Sequence, residues 1–140
     1  MVSLYEVLYT STITSAQSYE VIEHIARRSR IYNAAHRITG LLIYDGLRFC
    51  QHLEGAREDV VNLMATIGKD PRHLDVEVLF GGPLAERRFR HWAMAFTTFQ
   101  DVEVLDRLER LSGPAALDAF KVLLSALDLD SQALQVEPLH

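Results

Sequence analysis

The sequence predicts an α+β fold with element order βαββαββ, a mixed sheet carrying two helices on one face, followed by two more helices. Three observations predict it. Short apolar runs, alternating or unbroken, mark strands at 3–11, 38–55, 76–80 and 92–99. Apolar residues recur at helical spacing over 17–32 and 57–68. Between two apolar runs stands Asp45-Gly46, a pair that accepts the positive φ values of a two-residue type I′ hairpin turn.

Composition bounds the class. The 140 residues, 49% of them hydrophobic, suffice for one domain with a continuous core. A net charge of -5 and a pI near 5.6 argue against a partner that is nucleic acid or an anionic membrane. The single cysteine, Cys50, leaves no intramolecular disulfide, and no signal segment opens the chain, so the cytoplasm is the expected compartment. No apolar run approaches the roughly 20 residues that span a bilayer.

In chain order, Leu4, Tyr5, Val7, Leu8 and Tyr9 read as a central strand covered on both faces, with Tyr9 near its carboxyl end. The helix over 17–32 places Val21, Ile22, Ile25, Ala26 and Ser29 on one stripe, leaves His24 exposed and ends in a basic turn, Arg27 to Arg30. Asn33 is expected to close it in the left-handed conformation. In the second hairpin strand, parity puts Leu47, Phe49, Gln51 and Leu53 toward the core and Arg48, Cys50, His52 and Glu54 away from it. Gln51 is the misfit. A buried amide costs roughly 1–3 kcal/mol without partners, so Gln51 either caps a backbone group or faces a polar ligand.

The helix over 57–68 presents Val60, Leu63, Met64 and Ile67, with Gly68 as its stop. A short strand over 76–80 ends at Gly81-Gly82-Pro83, and in the strand over 92–99 Trp92, Met94 and Phe96 share a face. With right-handed crossovers this order gives a ferredoxin-like layout. Two apolar-faced helices follow. The first ends at Ser112-Gly113, the second opens at Pro114, and both need the free sheet face or a partner subunit. Beyond Asp128 the tail is expected to fray.

The residues carry few familiar chemistries. The histidines are scattered with no metal-ligand spacing, and no glycine-rich phosphate loop is present. Cys50 and His52, two apart on one strand face, form a weak nucleophile pair. The more informative set is Tyr9, Asn33 and Gln51 with Ile25 and Ile67 on the two helices. If both helices stand on one face, a slot between them is apolar along its walls and polar at its inner end, which suits a flat heteroaromatic ring with carbonyl and imide edges.

These residues resemble the BLUF family, blue-light sensors that use flavin. The resemblance covers roughly 3–98 and rests on Leu8-Tyr9 with Ser11, and on Asn33 followed by Ile38-Thr39-Gly40-Leu41-Leu42. It continues through Phe49-Cys50-Gln51-His52-Leu53-Glu54-Gly55, Asp70-Pro71-Arg72-His73, Pro83 to Phe89, and Trp92-Ala93-Met94. It implies a flavin-binding domain over 1–100, a helical extension over 101–140, and a photoreceptor rather than an enzyme. It also implies non-covalent FAD, with FMN or riboflavin as substitutes, held by Tyr9, Ile25, Ser29, Asn33, Phe49, Gln51, Ile67, Arg72 and His73. Light would move an electron and a proton from Tyr9, Gln51 would exchange its hydrogen bonds, and Trp92 and Met94 would pass the signal to an unidentified downstream protein, with at least a dimer expected. One departure is Tyr32, where many members carry a polar residue before the asparagine. Two other readings stay open: a ferredoxin-like regulatory domain for another small ligand, and a small enzyme using Cys50 and His52.

Overall fold

The computed structural model describes residues 3–13, 19–70, 73–89, 92–98, 103–126 and 135–138. The chain runs β1 (Leu4–Ile13), α1 (Tyr19–Ala35), β2 (Thr39–Tyr44), β3 (Arg48–Ala56), α2 (Arg57–Lys69), β4 (His73–Leu84), β5 (Trp92–Thr98), α3 (Glu103–Glu109), α4 (Pro114–Ala126) and β6 (Gln135–Pro138). The sheet order is β4-β1-β3-β2-β5-β6. Neighbours are antiparallel except β2 and β5, which run parallel, so the sheet is mixed as expected. β1 and β3 sit inside it, and a strand flanked on both sides and covered on both faces reads as a run of apolar residues.

Each face has its own core. On one, Val7, Tyr9, Leu42, Phe49 and Leu53 of the sheet pack with Ile22 and Ala26 of α1 and Val60 and Leu63 of α2. On the other, Leu8, Leu41, Ile43 and Cys50 pack with Leu105 and Leu108 of α3, Ala116 and Phe120 of α4, and Phe89. Burying each large apolar side chain contributes roughly 1.5–3 kcal/mol. The C-terminal helices therefore occupy the sheet face opposite α1 and α2.

This second layer changes the reading of β3. Cys50, His52 and Glu54 are as buried as Phe49, Gln51 and Leu53, so both parities face a core. Leu47, expected inside, is 54% exposed because it lies in the hairpin turn rather than in the strand. That turn is not type I′: Gly46 has φ 97, but Asp45 is not among the positive-φ residues. Instead the Asp45 carboxylate accepts from the backbone N–H groups of Leu47 and Arg48, both at 2.9 Å. A side-chain acceptor replaces the second left-handed residue.

Helix ends also differ. Asn33 lies within the last turn of α1, and Arg37 (φ 54) is the left-handed residue beyond it. The Ile38 N–H donates to the Asn33 carbonyl at 2.8 Å, closing the turn. Arg27 to Arg30 are consequently mid-helix, with Arg30 buried. α2 continues through Gly68 to Lys69. β4 is not short: it runs through Gly81, Gly82 and Pro83 while paired with β1. It is an edge strand, where a proline leaves no outer neighbour short of a donor. In the tail, expected to fray beyond Asp128, Gln135–Pro138 instead pairs with β5 as β6.

Candidate functional site

A cavity of about 370 Å³ lies between α1 and α2 over the first face of the sheet. Its lining comprises Tyr9, Leu42, Phe49 and Gln51 from the strands, Ile25, Arg28, Ser29, Tyr32 and Asn33 from α1, and Leu63, Thr66, Ile67 and Asp70 from α2 and its C-terminal cap. Tyr9, Asn33, Leu42, Phe49 and Gln51 are buried, whereas Arg28, Tyr32 and Thr66 are exposed, so the slot has a closed polar end and a solvent-facing rim.

The register explains the closed end. Tyr9 of β1 lies opposite Gln51 of β3, which in turn lies opposite Leu42 of β2, so the three side chains rise from one sheet row. The Tyr9 hydroxyl donates to Gln51 Oε1. Burial pushes the Tyr9 phenol well above its ordinary range, and the Asp70 carboxylate acts in the same direction, so it is protonated at any physiological pH. Asn33 reaches the same end because α1 continues one turn further than its apolar stripe suggests.

Most of the expected site residues meet here: Tyr9, Ile25, Ser29, Asn33, Phe49, Gln51 and Ile67 all line the slot. Arg72 lies outside the described residues. His73 opens β4, and Trp92 and Met94 lie in β5, at backbone level only. Sequence reasoning missed Arg28, Leu42, Leu63, Thr66 and Asp70 as lining residues. The signal was available for Leu42, which has the parity to stand beside Gln51. Tyr32, the departure from the usual polar residue, is part of the rim. Its ring stacks on His36 at 4.0 Å and 19°, and His36 Nδ1–H donates to the Tyr32 carbonyl at 2.9 Å.

The Cys50 and His52 pair is built for no nucleophile. Both are fully buried, and burial, with Asp45 and Glu109 nearby, pushes the Cys50 thiol far up, so no thiolate forms. His52 Nε2–H is committed to Glu6 Oε1 at 2.8 Å. Among the described residues no group of three or more His, Cys, Asp or Glu could hold a metal ion, and no helix is long and apolar enough to cross a membrane.

The slot does fit a flavin ring. Its volume is at the lower end of the roughly 300–1,000 Å³ usual for small-molecule sites. Apolar Ile25, Leu63 and Ile67 supply walls, and Tyr9, Asn33 and Gln51 offer both donors and acceptors at the buried end.

Comparison with known proteins gives the same reading. Photoactivated adenylate cyclase subunit beta of Euglena gracilis is 37% identical over 91 residues, 64% of this chain. The chain spans only 11% of that relative's length. The dark-state structure of the BLUF protein BlrB covers 91% of this chain and 99% of its own, with 32% identity and a TM-score of 0.75. BlrP1 of Klebsiella pneumoniae, solved with FMN and cyclic diGMP, is 31% identical over 88% of this chain and 34% of its own, with a TM-score of 0.66. The family model for sensors of blue light using FAD matches residues 4–95, and the chain belongs to that family, BLUF.

Proposed function

We propose that the slot between α1 and α2 binds the flavin ring of FAD, and that Tyr9 and Gln51 form the pair that responds to light. The observation that carries this reading is the Tyr9 hydroxyl donating to Gln51 Oε1 at the closed end of a ring-sized slot. When bound, flavin supplies absorption of blue light and an excited state that accepts an electron. Ile25, Ser29, Phe49 and Ile67 clasp the ring, Asn33 anchors its polar edge, and Arg72 and His73 serve the remainder of the cofactor.

The chain's own chemistry explains a switch. A phenol O–H both donates and accepts, so Tyr9 can meet either end of the Gln51 amide. Because burial forbids a free phenolate, the Tyr9 proton would leave only together with an electron, with bound flavin as the acceptor of both. Without its hydrogen, the Tyr9 oxygen is an acceptor only. It then repels Oε1 and favours the amide NH₂, which drives Gln51 to turn over or change tautomer. Each exchanged hydrogen bond is worth about 1 kcal/mol, enough to shift a balanced equilibrium several-fold.

The chain, residues 1–100 as sensor and 101–140 as extension, works without catalytic activity. It passes the change through Trp92 and Met94 to a downstream protein and acts as an oligomer of at least two copies. Support for such contacts is an apolar groove between α3 and α4, bordered by Val104, Leu111 and a Val122 that is 69% exposed. The test is optical. Purified protein supplied with FAD turns yellow, and its visible band moves to longer wavelength under blue light and returns in the dark. Gln51→Leu retains flavin and loses the shift, whereas Tyr9→Phe loses the photocycle. A colourless protein, or a Gln51→Leu variant with a normal shift, refutes the reading.

A further inference from the structure

Gln51 and His52 are adjacent in β3 and face opposite sides of the sheet, Gln51 into the slot and His52 into the second core. His52 is fully buried and central, opposite Leu8 of β1 and Leu41 of β2. Its ring lies parallel to that of Phe120 in α4, with centroids 5.4 Å apart at 15°, and edge-on to Phe89, at 5.4 Å and 62°. Nε2–H donates to Glu6 Oε1, while the buried Nδ1 has no hydrogen-bond partner. The imidazole is therefore anchored at one corner and otherwise held by ring contacts, which allows it to tilt without losing its hydrogen bond.

The anchor is firm. Arg88 binds Glu6 through both carboxylate oxygens, at 2.9 and 3.1 Å. The Arg88 and Phe89 backbone N–H groups donate to Glu54 at 2.8 and 2.7 Å, and Thr39 donates to it at 2.8 Å. The backbone has no slack either: a Cβ at Gly40 would lie 1.9 Å from the His52 carbonyl oxygen. With the His52 carbonyl confined against β2, a displacement of β3 at Gln51 and His52 has little room to dissipate in the backbone and would be taken up by the imidazole.

The geometry points to His52 as the positioning residue through which rearrangement of Gln51 reaches α4, by tilting the imidazole against the Phe120 ring. This rests on the flavin switch proposed above. It gives α4, whose Lys121 and Val122 are exposed, a light-dependent seat on the sheet that does not depend on β5. The other charged groups around the ring, Glu6 on β1 and Arg88 after β4, hold it in place and are not required to titrate.

Amide hydrogen exchange of the flavin-loaded full chain, in the dark and under blue light, tests this. Illumination changes exchange in α4 several-fold in the wild type. Phe120→Leu, which removes the ring but stays apolar, keeps the absorption shift and loses the α4 response. His52→Gln, which can still donate to Glu6 but offers no ring, behaves in the same way. A wild type with a normal absorption shift and an unresponsive α4 overturns the inference whether or not the variants fold. So do variants whose α4 response is undiminished. Absence of the absorption shift itself would instead overturn the flavin switch and this inference with it.

Discussion

Glu6 shows how much one buried charge can matter at the scale of a residue. Burial alone would raise its carboxyl, but hydrogen bonds from His52 and Arg88, and their charges, outweigh it and lower the value from an ordinary 4.5 to about 2. The unfolded chain therefore takes up the proton first as pH falls. The contribution to stability is complete above about 4.5 and is lost between 4.5 and about 2. Its size is on the order of 3 kcal/mol. Urea unfolding at pH 5.5 and pH 3 should show the wild type losing more stability across that window than Glu6→Gln. An equal loss would mean that the Glu6 cluster is not ionised as described. Glu54 is a second buried acid of this cluster, and its oxygens are occupied by backbone N–H groups, Thr39 and, at its carbonyl, Arg87.

At the scale of elements, β2 and β3 lie so close that Gly40 is required for contact rather than for turning. A methyl group there would overlap the His52 carbonyl oxygen, so Gly40→Ala must separate the two strands. We expect a loss of about 3 kcal/mol, the upper end of the usual range for overpacking, in denaturant unfolding. Gly68, near the end of α2 with open space around its Cα, is the contrast. Gly68→Ala should stabilise by about 0.5 kcal/mol, because alanine loses less backbone entropy in a helix. Reversal of these two signs would contradict the packing described. The existence of every element but β6 was legible in the sequence, since hydrophobic period distinguishes strand from helix without knowledge of the partner. Parity placed Gln51 inward, and the helical stripe placed Ile25 and Ile67 on one side. What pattern could not supply was cover from distant parts of the chain. The burial of His52 and Glu54 depends on α4 and on Arg87 to Phe89, and the full length of β4 depends on its lying at an edge. Asn33 was recognised as important but placed one turn too late, because alanines and a positive φ at Arg37 extend α1 beyond its apolar stripe.

For the whole molecule, ligand and fold are linked by mass action. A slot with a buried end and an exposed rim binds only when α1 and α2 are seated on the sheet, so flavin binds the folded chain and not the unfolded one. FAD at a hundredfold its Kd should add about 2.7 kcal/mol of stability and raise the thermal midpoint by several degrees. With the flavin ring at the closed end, as proposed, FMN and riboflavin should give shifts of the same sign. A midpoint insensitive to all three flavins would separate the slot from flavin binding.

The nine residues of β3 are shared between two cores, one holding the Tyr9 and Gln51 pair and the other holding Glu6, His52 and Phe120. With Tyr9 and Gln51 as the proposed switch, colour tuning and robustness are written in the same strand. An engineer who alters β3 to lengthen the lit state also edits the seating of α4, and a library built there would confuse the two traits. Arg28, Tyr32 and Thr66, on the exposed rim, touch the slot without touching the second core. On the proposed site, they are the positions at which the photochemistry can be adjusted while the far side of the sheet is left as it is.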